Sequence, residues 1–328
     1  MRAAVLSAPD ILSVERVPDP IPGADDIVVA VRDCGICGTD LHLESGDIGA
    51  DNLPLVPGHE VWGEVVELGT NVTGFAVGDA VAVDPSLHCG RCQPCRAGHG
   101  NMCERWGAIG GTVAGGWAEY VRAPSANAYL LGGDFPLAAA PLLEPVACAV
   151  HGLKRLGAVA DQPAIIVGGG TIGVLLAILL DARGVGPITI VELNPTRREV
   201  AAHLTGCTVL APDSLGDLRA PWVIEASGSA AGFEQAFDAV ARAGQLLVFG
   251  VASPATRVPV SPHRIYQDEL TIVGSMAILR SFASAVDTVR RQADRLAPLV
   301  THRFALDDIA AALDSVRAGA SIKTVVNP

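Results

Sequence analysis

Positive charge is what this 328-residue chain lacks first: its formal net charge is −12 at pH 7, and no basic stripe runs along any segment. Binding to nucleic acid or to an anionic membrane is driven by clustered Lys and Arg, so neither partner is expected. Long apolar runs are missing as well. Leu175–Leu180 is apolar but far short of the ~18 residues that cross a bilayer. The opening Met1-Arg2-Ala3-Ala4-Val5-Leu6 has no extended hydrophobic stretch of the secretory kind, and a cytoplasmic location is the expectation. No internal repeat and no low-complexity segment is found.

What is present is apolar and turn-rich. Half of the residues are hydrophobic, with 36 glycines and 22 prolines, and the length suits about two compact domains rather than one. Eight cysteines could form disulfides in a secreted protein. Their clustering beside His and Glu instead favours metal ligation in a reducing compartment.

Two short stretches organise the chain: Gly35-Ile36-Cys37-Gly38-Thr39-Asp40-Leu41-His42 and Gly58-His59-Glu60. Cys37, His59 and Glu60 offer a thiolate, an imidazole and a carboxylate, the three ligand chemistries that zinc accepts. A catalytic site keeps one position open, so three protein ligands, or four with one movable, is the expected number. The flanking glycines suit tight turns that aim these side chains together. A second cluster, Cys89, Cys92, Cys95 and Cys103, can close a tetrahedron with no vacancy, which makes it a structural zinc site. A pair of disulfides or a thiol cluster without metal is the alternative. Little hydrophobic material lies between Pro85 and Arg105 to hold that loop by burial.

Strand-like segments at Ile27–Val31, Val61–Leu68 and Ala80–Val83, without helices between them, predict a barrel-like β unit up to about Val146. From Ala147 to Met276 the pattern changes. Ala164–Val167 is an apolar strand running into Gly168-Gly-Gly170-Thr171-Ile172-Gly173, and a helix-forming segment follows. The next strand, Ile188–Val191, ends at Glu192, nineteen residues after Gly173. This context makes the glycine motif a dinucleotide site, with backbone N–H groups at a helix start for the pyrophosphate. Glu192 would accept from the adenosine ribose hydroxyls and repel a 2′-phosphate, which predicts NAD over NADP. Arg197 and Arg198 weaken that preference, although capping the next helix is their other reading. Strand ends at Ala226-Ser227-Gly228 and Phe249-Gly250-Val251 are expected beside the nicotinamide half. Alternating strands and helices predict a parallel, doubly wound sheet. Residues 277–328 return to the first unit through helices and a closing strand, Lys323–Val326.

Taken together, GICGTDLH, PGHE, the four-cysteine loop, GGWAEYV, LLEPVACAVHG, GGGTIG and LVTHRF resemble the zinc-dependent medium-chain dehydrogenase/reductase family, nearest its sorbitol (polyol) and threonine dehydrogenase branch. The resemblance implies an α/β protein: a GroES-like β-rich catalytic domain over 1–146, completed by 277–328, and a Rossmann domain over 147–276. It implies that Cys37, His59 and Glu60 hold a catalytic zinc, that Glu144 stands where a further ligand is placed, and that Thr39 and His42 relay a proton. It implies two zinc ions per chain, NAD, a small alcohol or ketone substrate, and a homodimer or homotetramer. Hydride transfer between NAD and a secondary alcohol is the implied activity. NADPH-dependent ketone reduction and a non-catalytic dinucleotide binder are the alternatives. Leu43 replaces a Tyr usual in polyol dehydrogenases, and Ser275–Leu279 lacks an expected Arg-Tyr pair. These departures point towards a cyclic sugar alcohol, an aminocyclitol or a less polar secondary alcohol. Trp106, Ile109 and Leu279 are implied pocket walls. The stretch from Gly206 to Pro221 is short enough that one strand–helix unit of the sheet is expected to be trimmed.

Overall fold

The computed structural model describes residues 1–328 and separates into two compact units. Unit 1 comprises Met1–Cys148, Ala277–Ala318 and Lys323–Pro328; unit 2 comprises Ala149–Met276 and Gly319–Ile322.

Unit 1 opens with an antiparallel hairpin, β1 (Arg2–Ala8) and β2 (Ile11–Arg16). The long strand β3 (Asp26–Ile36) leads into helix α1 (Gly38–Glu44), and β4 (Glu60–Leu68) pairs antiparallel to β3. Then follow β5 (Ala80–Val83), the two-residue strands β6 (Ser86–Leu87) and β7 (Gly107–Ala108), β8 (Tyr120–Pro124) and β9 (Ala128–Leu130). The short helix α2 (Gln93–Arg96) lies in the cysteine loop, and α3 (Leu143–Leu156) begins in this part of the chain and continues past Cys148.

Unit 2 is a six-stranded sheet of β10 (Ala164–Val167), β11 (Ile188–Val191), β12 (Thr208–Leu210), β13 (Ala220–Glu225), β14 (Val240–Val248) and β15 (Thr271–Gly274). Every pairing is parallel and the order is β12-β11-β10-β13-β14-β15. Helix α4 (Thr171–Asp181) follows β10, and every residue from Gly173 to Leu180 is buried. That burial explains its apolar sequence, since a helix covered on all sides needs no polar face. Helices α5 (Pro195–Thr205) and α6 (Ala230–Asp238) begin at Asn194 and Ser229, whose side chains accept from Arg197 N and Gly232 N. The expected trimming is confined to one helix: β12 keeps its place at the sheet edge, and only the 3-10 turn Pro212–Ser214 stands between it and β13.

The chain returns to unit 1 with β16 (Val300–Ala305), the helix Ile309–Arg317 and β17 (Lys323–Asn327). The larger sheet of unit 1 runs β16-β17-β3-β4-β5-β9, with β8 also paired to β3. Its core joins Ile27, Val29, Val61, Val65, Val81 and Trp117 to Leu313 and Val326 from the C-terminal segment. The register sets Gly35 of β3 between Glu60 of β4 and Val325 of β17. Three strand ends therefore meet at one place: β3 stops at Ile36, β4 starts at Glu60 and β17 starts at Lys323. No helix of the chain is long and apolar enough to cross a membrane.

Candidate active site

At that junction, one ligand atom each from Cys37, His59 and Glu60 lies within 4.8 Å of the others. Cys37 is the residue before α1, and its N–H donates to Asp40 Oδ2 at 2.8 Å. The other Asp40 oxygen lies 3.2 Å from His59 Nδ1 on a side chain 1 % exposed. A buried carboxylate on Nδ1 fixes the ring and leaves Nε2 as the free donor atom, the arrangement found behind metal-bound imidazoles. Gly58, at φ +93°, carries His59 into position, and a Cβ there would meet Trp117 Cδ1 at 2.4 Å.

Glu60 and Lys323 form an ion pair with side chains 2 % and 1 % exposed. Lys323 Nζ also donates to the Ile36 carbonyl at 3.0 Å. A Cβ on Gly35 would come within 1.7 Å of Glu60 Oε2 and 2.8 Å of Lys323 Cε, so this glycine makes room for the pair. Glu144, in the first turn of α3, accepts from Cys148 Sγ at 3.3 Å. Burial pushes its carboxyl up to about 7, with repulsion from Glu60 adding to this and attraction from His59 opposing it. It stands outside the mutual 4.8 Å set but within the same electrostatic environment.

Burial disfavours a charged His59, yet Asp40 and Cys37 outweigh it and hold the imidazole pKa well above its ordinary value. Cys37, Asp40, Glu60 and Glu144 thus surround His59 with only Lys323 as a built-in cation. A pocket so rich in anionic donors, with thiolate, imidazole and carboxylate converging, fits a zinc ion. Along α1, the Thr39 hydroxyl contacts Cys37 Sγ at 3.7 Å, and His42 Nδ1 lies 3.3 Å from Asp47 Oδ2. Thr39 and His42 share a helix face, three residues apart, and each bonds a different partner.

The second cluster also closes. Cys89, Cys92, Cys95 and Cys103 bring their sulfurs within 4.8 Å of one another, and no two cysteines of the chain are joined. The Cys92 and Cys103 sulfurs are 3.8 Å apart. Zn–S bonds near 2.3 Å give a tetrahedron edge of about 3.8 Å. Backbone N–H groups of Cys89 and Arg105 donate to Cys103 Sγ, each at 3.3 Å, and that of Cys92 to Cys89 Sγ at 3.4 Å. Backbone donors at Arg91 and Cys92, helped by the Arg105 side chain, hold the Cys89 thiol down at about 5. Desolvation and the neighbouring Cys92 and Cys103 push Cys95 up to about 12.

In unit 2 the glycine turn follows β10. Gly168 has φ +110°, and a Cβ on Gly173 would meet Gly168 O at 1.8 Å, which is the close packing the third glycine permits. Gly170 precedes α4, whose first residues, Thr171 and Ile172, leave N–H groups at the helix start. The Thr171 hydroxyl donates to the Ile322 carbonyl. Glu192 is 6 % exposed; its Oε2 accepts from Gly169 N at 2.8 Å and its Oε1 from Asn194 N at 2.7 Å. Arg198 donates to the carbonyls of Glu192 and Leu193 at 3.0 and 2.8 Å and so braces the turn before α5, whose cap is Asn194. Arg197 differs: its Nε lies 3.7 Å from Glu192 Oε1, and a Cβ on Gly170 would be 3.5 Å from its Nη1, so it sits beside the turn. Ser227 and Gly250 lie past the ends of β13 and β14, where Phe249 N and Gly250 N donate to the Glu225 carbonyl.

Other expectations fare differently. Leu43 is 5 % exposed and packs with Leu6 and Leu55. Ile109, an implied pocket wall, belongs to the core of unit 1. Cys34 is a buried core residue, whereas Cys148 and Cys207 are only half-buried. Glu119 pairs with Arg2 across 117 residues. Lys323 and Glu225 were not expected at either site. A strand-forming Lys-Thr-Val-Val gives no local sign of a buried ammonium.

Comparison with known proteins agrees with this architecture. A family model described as "Alcohol dehydrogenase GroES-like domain" matches residues 23–132, and one described as "Glucose dehydrogenase C-terminus" matches residues 140–327. The chain is 32 % identical to D-arabinitol dehydrogenase 1 of Uromyces fabae, over 100 % of this chain and 97 % of that protein. It is 35 % identical to D-altritol 5-dehydrogenase of Agrobacterium fabrum, over 91 % and 90 %. A zinc-binding dehydrogenase of Sinorhizobium meliloti, solved bound to NADP, superposes with a TM-score of 0.93 at 31 % identity, covering 100 % of this chain and 99 % of that one.

Proposed function

The chain belongs to the zinc-type medium-chain dehydrogenase/reductase family, near its sorbitol and threonine dehydrogenase branch, and from that premise we propose that it is a zinc-dependent, NAD-linked dehydrogenase of a polyhydroxylated secondary alcohol. The single observation that carries the reading is the convergence of Cys37, His59 and Glu60 with Asp40 behind the imidazole. The two relatives named above are named for open-chain polyols, and Leu43 is buried against Leu6 and Leu55. Acyclic sugar alcohols therefore join cyclitols and aminocyclitols in the substrate class.

In this reading Cys37, His59 and Glu60 hold the catalytic zinc, with Glu144 nearby as an exchangeable further ligand. Zinc bound there supplies Lewis acidity that lowers the pKa of an alcohol. Asp40 keeps His59 in the tautomer with Nε2 free, and Lys323 holds Glu60 at the edge of the ligand set. Thr39 Oγ1 would accept the proton released by the substrate hydroxyl while passing its own hydroxyl proton on towards His42, which is partly exposed, lies beside Asp47 and would give a proton up to solvent. Cys89, Cys92, Cys95 and Cys103 hold the second zinc and with it the shape of their loop. The hydride acceptor is the nicotinamide, whose chemistry is the cofactor's own. The turn at Gly168, Gly170 and Gly173, with the N–H groups of Thr171 and Ile172, cradles its pyrophosphate.

Glu192 favours NAD, because a buried carboxylate fixed by two backbone donors cannot swing aside for a 2′-phosphate. The position of Arg197 beside the turn, and the NADP in the S. meliloti structure, favour a second reading in which the chain uses NADP(H). Titration of the purified protein with both reduced cofactors separates them: a tighter Kd for NADH supports the first reading and a tighter one for NADPH the second. The activity is tested by elemental analysis together with NADH formation on a panel of linear polyols, cyclitols and aminocyclitols. Full turnover by protein containing no zinc, or by Cys37→Ser, would sink the proposal.

A further inference from the structure

Glu225 is the last residue of β13, 2 % exposed, in register with Val167 of β10 on one side and Val248 of β14 on the other. A carboxylate in the middle of a parallel sheet needs partners, since burying it unpaired costs several kcal/mol. Its Oε1 takes three hydrogen bonds from the next turn: Ser227 N at 2.6 Å, Ser227 Oγ at 2.6 Å and Gly228 N at 2.9 Å. The network goes on outward. Ser229 N donates to Ser227 Oγ at 3.2 Å, the Ser227 and Ser229 hydroxyls lie 2.9 Å apart, and Ser229 Oγ accepts from Gly232 N at the start of α6. One carboxylate thereby ties the end of β13 to the first turn of α6.

The turn it sets is tight and adjoins the glycine motif. Ala226 N donates to Val167 O at 2.8 Å. Gly228 has φ +67°, a Cβ on it would meet Val251 O at 2.5 Å, and a Cβ on Gly250 would meet Gly228 N at 2.3 Å. The sheet order reverses between β10 and β13, and in open parallel sheets ligands bind outside the carboxyl ends of the strands at such a switch point. Glu192 and the glycine turn belong to the β10–β11 side and serve the adenosine half. The segment 226–229 belongs to the other half. The Ser227 hydroxyl hydrogen already goes to Glu225, so that side chain braces the turn and is not a free donor.

We propose that Glu225 is a positioning residue for the nicotinamide half of the cofactor: its carboxylate fixes residues 226–229 in the one backbone course that leaves space and backbone polar groups for that half. The inference rests on the dinucleotide reading above, and its test separates the two. NADH binding to the full-length purified protein is followed by fluorescence and ADP-ribose binding by calorimetry, for the wild type, Glu225→Ala and Glu225→Gln. Glu225→Ala should weaken NADH at least tenfold while ADP-ribose, which lacks the nicotinamide, stays within about twofold. Glu225→Gln keeps an acceptor oxygen and should restore most of the NADH affinity. Parallel weakening of both ligands, or no weakening of either, overturns the proposal. Should Glu225→Ala fail to fold, Glu225→Asp takes its place, since its shorter side chain withdraws the carboxylate from Ser227 and Gly228: a selective loss of NADH affinity of about threefold or more supports the proposal, and equal effects on both ligands refute it. A wild type that binds neither ligand refutes the dinucleotide reading itself.

Discussion

Replacing Lys323 by Met puts an apolar chain of similar length where a buried ammonium stood, and the consequence can be worked out from its neighbours. Glu60, 2 % exposed, loses its cation, and the Ile36 carbonyl loses its donor. Removing one partner of a buried ion pair costs about 3–5 kcal/mol, because the remaining charge is stranded rather than because the pair was strong. Against a typical domain stability of about 5–15 kcal/mol that is a large fraction. Adding Glu60→Gln takes the stranded charge away, so the double variant should recover about 2 kcal/mol or more, a coupling a double-mutant cycle resolves. Urea unfolding of chelator-treated protein, followed by tryptophan fluorescence, is a suitable assay, since Trp62, Trp106 and Trp117 lie in unit 1 and only Trp222 in unit 2. In zinc-loaded protein the cost of Lys323→Met should shrink, because a bound dication also balances Glu60. A loss under about 1 kcal/mol in metal-free Lys323→Met, or strict additivity with Glu60→Gln, would refute the reasoning.

Two further outcomes are expected. Cys92→Ser opens the four-thiol site, so zinc content should fall from two ions per chain to about one, and trypsin should cut at Arg91, Arg96 or Arg105 severalfold faster; Cys37→Ser should also lose one ion but leave those bonds protected, and equal cleavage of both variants would count against a structural role for the loop metal. Burial raises the Asp84 carboxyl above its usual 3.8, against the Ser86 donors and the attraction of His88. A raised folded-state pKa contributes stability below the unfolded pKa and loses it as pH rises through the folded one. Asp84→Asn, which can still accept from Ser86 N, should therefore show no gain in thermal midpoint near pH 3.5 and a gain at pH 7; a pH-independent difference would contradict this.

The departures between the expected and observed strands have local causes. Reading β3 to stop at Val31 treats Asp33 as a breaker, yet the strand continues to Ile36. Asp33 is 4 % exposed and satisfied from afar, by Trp62 Nε1 at 2.8 Å and Arg303 Nη1 at 2.6 Å. Those donors lie 29 and 270 residues away, so a local window sees only the charge. Ala243-Gly244 reads as a turn before a strand starting at Gln245, but β14 runs through it from Val240. The pairing with β13 slips there, from Ala220 with Val240 to Trp222 with Gln245, and Ala243 has φ +58°, the signs of a bulge rather than of a strand start. The glycine turn of unit 2 was legible for the opposite reason. A strand, three glycines, a helix and an acidic residue at the end of the next strand all lie in one continuous stretch, and each is dictated by neighbours in sequence.

The proposed metal junction divides along the same line. Cys37, His59 and Glu60 announce themselves by residue type, because few other roles call for thiolate, imidazole and carboxylate beside glycines. Their charge balance does not. The chain has two lysines, Lys154 and Lys323, and the one that matters lies 263 positions from Glu60, brought there only by the antiparallel register of β17 on β3 and of β3 on β4. Gly35 was the available hint, but it reads as a residue that helps the backbone turn, when what it supplies is the space that Glu60 Oε2 and Lys323 Cε fill. A glycine at ordinary φ inside a strand, opposite an acidic residue, is better taken as a sign that a bulky side chain approaches from a neighbouring strand. Applied here, that rule points across β3 to Glu60 and to an unidentified partner on the other flanking strand. The first residue of β17 is then the place to look for its counter-charge.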